Sequence, residues 1–131
     1  MFDHEKLDVY RLAIEFVAWV DTMLDEATSK SRISALKHLD ESSTSVALNI
    51  AEGNGKRSLA DRIRYLEIAR GSALECAACL DVLVVRRRFL SERAAAGKAT
   101  LVRVVAMLTK LIEKLPKPSS TSTSTSTTAA R

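Results

Sequence analysis

Apolar residues recur along this chain at steps of three and four, the period of helices that bury one face. In the first stretch, from about His4 to Ala27, Leu7, Tyr10, Ile14, Val17 and Leu24 form one stripe, and Val9, Leu12, Phe16, Val20 and Met23 form another. Two stripes predict a helix covered on more than one side, with Trp19 packed between them. Thr28-Ser29-Lys30-Ser31 is a polar link, and a second helix is expected to run to about Glu52 on a stripe of Leu36, Leu39, Ser43, Val46 and Ile50. Its middle, Asp40 to Ser45, is polar and small-chained, which suits a close helix crossing.

Asn49-Ile50-Ala51-Glu52-Gly53-Asn54-Gly55-Lys56-Arg57-Ser58 then reads as a corner between two helices. Gly53 is expected just past the helix end in a left-handed conformation, Gly55 repeats that permission, and Ser58 can cap the next helix with Asp61 as an imperfect capping-box partner. The third helix is predicted over Leu59 to Val85. Its first half bears Asp61, Arg62, Arg64, Glu67 and Arg70, and its second half, Cys76 to Val85, is apolar nearly all round. That second half belongs either at the centre of a bundle or against another subunit. Gly71 lies in mid-helix, where a close neighbour is the expected compensation for its cost of about 1 kcal/mol. Arg86-Arg87-Arg88 ends this helix, where positive charge complements the dipole.

Phe89-Leu90 turns, Ser91 can cap, and the fourth helix is expected from about Glu92 to Leu115 on Leu101, Val105, Leu108, Ile112 and Leu115. Gly97 weakens its first turns, and Arg103, Lys110 and Lys114 share its outer side. Residues 1–115 thus form one all-α domain. Residues 116–131 form a low-complexity tail whose Ser/Thr tract has nothing apolar to bury and is expected to be disordered.

Composition adds limits. With 131 residues the chain can build a core without disulfides or metal. A net charge of +4 is compatible with nucleic acid but does not demand it. Interspersed charges at the N-terminus do not read as a secretory signal, and no apolar run approaches a membrane span, so the cytoplasm is expected. Two cysteines suit that compartment.

Catalytic chemistry is not indicated. Cys76-Ala77-Ala78-Cys79 lies deep in an apolar helix, where a thiolate is disfavoured, and neither zinc-type Cys or His pairs nor a nucleophile with a base is present. His4 and His38 lack any motif. The Gly-Lys-Arg corner has the wrong spacing for a P-loop. No cofactor, metal or catalytic residue is therefore assigned.

The residues Asn49-Ile50-Ala51-Glu52-Gly53, Gly55-Lys56-Arg57-Ser58 and Ala69-Arg70-Gly71-Ser72 with Glu75 resemble the four-helix-bundle proteins encoded in bacterial 23S rRNA intervening sequences, as do Leu7, Val9, Tyr10 and Ala13. The resemblance covers residues 2 to about 115. It implies an antiparallel up-down-up-down four-helix bundle assembled as a ring-like homopentamer. It also implies similarity to the accessory protein of diversity-generating retroelements, a basic bundle that binds nucleic acid and a reverse transcriptase. Where the family usually carries Gln and basic residues on helix 2, this chain has His38, Asp40 and Glu41, which removes positive charge.

Asn49, Glu52, Gly53, Gly55, Arg70, Gly71, Ser72 and Glu75 are read as a structural motif, with Asn49 and Glu52 facing Ser72 and Glu75 and with Arg70 or Arg57 balancing the carboxylates. Lys56, Arg57, Arg62, Arg64, Arg86, Arg87 and Arg88 are the candidate phosphate contacts. A non-enzymatic, homo-oligomeric, RNA-associated module is the preferred reading. The alternative is a protein-interaction scaffold without nucleic-acid contact.

Overall fold

The computed structural model describes residues 1–27 and 33–116. The polar link at 28–32 and the tail at 117–131, including its Ser/Thr tract, lie outside the described residues. A short 3-10 turn, Asp3–Lys6, leads into α1 (Asp8–Glu26), α2 (Ser34–Gly55), α3 (Leu59–Val85) and α4 (Ser91–Lys114).

Cross-helix contacts fix the topology. Asn54 near the end of α2 donates to Asp3 ahead of α1, and Ser45 of α2 meets Ser72 of α3. Lys98 on α4 pairs with Asp81 on α3, while Arg70 donates to Thr109 nearer the other end. Arg93 at the start of α4 holds Glu26 at the end of α1. Each neighbour therefore runs antiparallel to the next, giving an all-α, up-down-up-down four-helix bundle.

The core follows the predicted stripes on α1 and α2, whereas on α4 Val104 is fully buried with Leu101 and Leu108, and the expected Val105, Ile112 and Leu115 are half-buried. Val9, Leu12, Phe16, Val20 and Met23 of α1 are buried, and so are Leu39, Ser43, Val46 and Ile50 of α2. The other α1 stripe is half-buried, apart from Ile14, which is exposed. Leu66, Ala69, Ala73, Cys76, Leu80 and Leu83 of α3 join Leu101, Val104 and Leu108 of α4 in the same buried core. The apolar second half of α3 is central, yet its outer side leaves Leu74, Val82 and Val85 exposed.

Three expectations change. α2 runs on through Gly53 and Gly55, and neither glycine has a positive φ, so the glycines do not end the helix by a left-handed turn. Gly53 is instead a packing position: a Cβ there would lie 3.0 Å from Tyr65 Cβ and 3.2 Å from the Arg62 carbonyl. Ser91 is the first residue of α4, and Leu90 takes the N-cap place without a side-chain cap. The two mid-helix glycines exchange roles. Gly71 is exposed with open space above it, whereas Gly97 is buried under the Trp19 ring.

Candidate nucleic-acid interface

At the α2–α3 corner the chain turns within three residues, and the Ser58 hydroxyl accepts from the Asp61 amide at 3.2 Å. The box is not reciprocated, because the Asp61 carboxylate turns to Arg64 at 3.3 Å. Lys56 pairs with Glu52 at 2.9 Å, and both Lys56 and Arg64 approach the face of the Tyr65 ring, at 5.2 and 4.6 Å from its centroid. The hydrogen bond and charge of Glu52 hold the Lys56 ammonium above its ordinary pKa, and the hydrogen bond to Asp61 does the same for Arg64. Two of the candidate cations are thus already matched by local acids. Arg57 stands exposed beside them. Arg62 is half-buried, and its Nε has no hydrogen-bond partner among the described residues.

The second arginine group closes the other end of α3. Arg86 is the C-cap, and Arg87 takes a left-handed, positive φ. The Arg88 amide donates to the Leu83 carbonyl at 2.8 Å and the Arg87 amide to Val84 at 2.9 Å, the paired bonds of a Schellman motif. Arg88 also folds its guanidinium back onto the Arg86 carbonyl at 2.9 Å. A helix rises about 1.5 Å per residue, so Arg62 and Arg86 lie about 36 Å apart along α3. The seven candidate cations therefore form two groups, one at each end of the bundle.

The proposed polar motif is joined differently from expectation. Asn49 donates to the Ser45 carbonyl at 2.8 Å and to its hydroxyl at 3.0 Å, and the Ser45 hydroxyl shares a 2.8 Å hydrogen bond with Ser72. Asn49 thus reaches α3 through Ser45. The carboxylates are not balanced by Arg57 or Arg70. Glu52 takes Lys56, Glu75 lies 3.5 Å from His38 Nδ1, and Arg70 donates to the Thr109 hydroxyl at 2.9 Å. Both acids are half-exposed, so solvent supplies what a buried carboxylate would have required from arginine. Gly55, like Gly71, has open space above it. Tyr65 and Thr109 carry no sequence signal beyond ordinary helical periodicity.

Cys76 and Cys79 are free and buried, and burial pushes the Cys76 thiol up to about 12. Among the described residues no group of three or more His, Cys, Asp or Glu converges, and no helix is long and apolar enough to cross a membrane.

The family model for the 23S rRNA-intervening sequence protein matches residues 5–110. A crystal structure of a protein of unknown function from the S23 ribosomal protein family of Bacteroides thetaiotaomicron superposes with a TM-score of 0.76 at 22% identity, covering 81% of this chain and 99% of that one. That likeness shows the shared fold. No curated protein is significantly similar to the chain.

Proposed function

The chain belongs to the 23S rRNA-intervening sequence protein family, and from that premise we propose that it is a non-enzymatic, cytoplasmic assembly module whose associated copies contact RNA through arginines at the bundle ends. The observation that carries the reading is the outer face of α3 and α4. Leu74 is 49% exposed and Val102 68%, and Gly71 leaves open space on the same side of α3. Together with Ala73, Ala77 and Ala106, Leu74 and Val102 flank a shallow apolar slot between the two helices. The Asp81–Lys98 ion pair and the Arg70–Thr109 hydrogen bond bound it. A contiguous apolar patch of this kind marks an interaction surface. A second copy covers it in the proposed assembly, a homopentameric ring by family resemblance.

Self-association supplies what one subunit lacks. A single bundle presents few arginines at either end, whereas a ring repeats Arg57, Arg62 and Arg86–Arg88 and multiplies weak phosphate contacts by effective concentration. The family's name, with its reference to 23S rRNA, supports RNA as the anion.

Sedimentation velocity combined with titration of a structured RNA tests the reading. Oligomers that Leu74→Glu disperses, and RNA binding that weakens steeply with salt and is reduced by Arg57→Gln and Arg86→Gln, are the expected results. A strictly monomeric chain at micromolar concentration, or no binding at low salt, overturns the corresponding half. A second reading, a protein scaffold without nucleic-acid contact, is favoured by one observation: Lys56 and Arg64 are already committed to Glu52, Asp61 and the Tyr65 ring.

A further inference from the structure

The seam between α1 and α4 is the most thinly packed of the bundle's helix contacts. Near the start of α1 it opens into a groove of about 310 Å³. Leu7, Val9, Met107 and Leu111 line it, with Lys110 and Lys114 at its edge. Arg103, Met107, Lys110 and Lys114 follow one another at steps of four, three and four residues, the spacing that stacks side chains along one face of a helix. None of these three cations has an ion-pair or hydrogen-bond partner among the described residues. Asp8 also lines the groove, but its carboxylate is engaged by Arg11 at 2.9 Å, and Glu15 lies toward the Arg103 end without pairing to it. Glu113 follows Val102 by eleven residues, close to three whole turns, and so shares the exposed Val102 side of α4 rather than the centre of the cationic row.

An aliphatic floor with an unmatched cationic edge has the character of a helix-binding groove. We propose that this α1–α4 groove binds an acidic amphipathic helix of a partner protein. Its apolar residues at i, i+4 and i+7 would seat against Leu7 and Leu111, with Met107 adapting its shape to them and the buried Val9 closing the floor beneath. Carboxylates along its flank would meet Arg103, Lys110 and Lys114, whose spacing of seven and four residues spans about 16 Å, or three helical turns.

Two other occupants fit less well. Single-stranded RNA gains affinity by stacking bases on aromatic side chains, and this floor has none. A second copy would bring Glu15, Glu67 and Glu113 as its exposed helical acids without ion pairs toward this end, one each on α1, α3 and α4 rather than in a row. The α1 pair Asp21 and Asp25, spaced along one face, lies at the opposite end of the bundle. The Glu26–Arg93 bridge places that end of α1 beside the first turn of α4, so copies aligned side by side do not bring Asp21 and Asp25 to Lys110 and Lys114. The partner inferred here goes beyond the RNA reading and stands or falls separately from it.

Fluorescence anisotropy with the full chain and a synthetic helical peptide tests the groove. The peptide carries Leu at i, i+4 and i+7 with Glu on one flank, and a twin peptide carries Lys in place of Glu. Saturable binding of the acidic peptide is expected, weakening with salt. Lys110→Glu/Lys114→Glu should lower the affinity by about tenfold or more with unchanged circular dichroism, and the twin should not bind. Lys110→Gln/Lys114→Gln, a milder change at exposed positions, should give a smaller loss in the same direction. The proposal is overturned if the acidic peptide does not bind, if both peptides bind alike, or if the lysine variants leave binding unchanged. A uridine oligonucleotide that binds in the peptide's place and is lost with the same variants would assign the groove to RNA instead. A change in sedimentation caused by those variants would assign it to a second copy.

Discussion

Arg87 holds a left-handed backbone conformation at the position after the α3 cap, the place where glycine is the usual occupant. A side chain there crowds its own backbone, at roughly 1–2 kcal/mol for an L-residue. The Schellman bonds to Leu83 and Val84, together with burial of Phe89 next to the turn, hold it in place. Arg87→Gly is expected to stabilise the bundle by about 0.5–1 kcal/mol, the strain relieved being partly offset by the freer unfolded chain. The midpoint of thermal unfolding should rise by a few degrees. Cys76 offers a second test at this scale. Its buried thiol is held up to about 12, above the ordinary value of 9.0, so the folded state resists ionisation. The contribution of this group is intact below the unfolded pKa and is lost as pH rises from about 9 through 12, by at most about 1.4 kcal/mol per pH unit. Denaturation of wild type and Cys76→Ala at about pH 8 and about pH 10.5, on either side of the unfolded thiol's titration, should show the wild type losing more stability between the two. Equal losses would mean that the thiol does not couple to folding.

Among the elements, the stripe positions of α1 and α2 and both bounds of α3 are legible in the sequence, because periodicity reports which side of a helix is apolar. The roles of the glycines are not. A glycine in a helical run advertises only a missing side chain. Whether another group fills the space depends on which face points inward, and the all-round apolar run from Cys76 to Val85 hides the face of α3 on which Gly71 lies. Gly53 reads as a terminator because glycine often is one; it is placed by its approach to Tyr65 and the Arg62 carbonyl. Likewise Asn49 and Ser72 are identifiable as a polar pair, but the bridging Ser45 is lost among five neighbouring polar residues. The sharpest consequence concerns Gly97, over which the outer edge of the Trp19 ring is laid. Gly97→Ala gains helix propensity but forces the ring aside, so a net loss of about 1–3 kcal/mol is expected from overpacking. Trp19 is the chain's single tryptophan, and its emission should shift toward that of a more exposed indole. Pairing Gly97→Ala with Trp19→Leu should recover part of the loss. Unchanged emission and stability would mean that the seam adapts freely.

For the whole molecule, the length of α3 decides how RNA could be held. The groups at Arg57 and Arg62 and at Arg86–Arg88 are separated by about 36 Å along the helix. An RNA shorter than that span can reach only one group on a given subunit, whereas a longer one lying along the bundle can reach both. The two arrangements predict different responses to the same substitutions. On a duplex of about six base pairs, each of Arg57→Gln/Arg62→Gln and Arg86→Gln/Arg87→Gln should remove one of two separate sites, lowering the number of duplexes bound per subunit and leaving the salt dependence of the other site unchanged. On a duplex of about twenty base pairs running parallel to α3, each pair should lower the salt dependence by about two counterions, and the losses should add. If copies instead assemble side by side with their ends aligned, each end of the assembly presents one group repeated around a ring. RNA lying across that end would then depend on a single pair of substitutions at every length tested. Salt-dependent titrations of short and long duplexes against the two double variants therefore separate a surface used along the helices from one used across the ends.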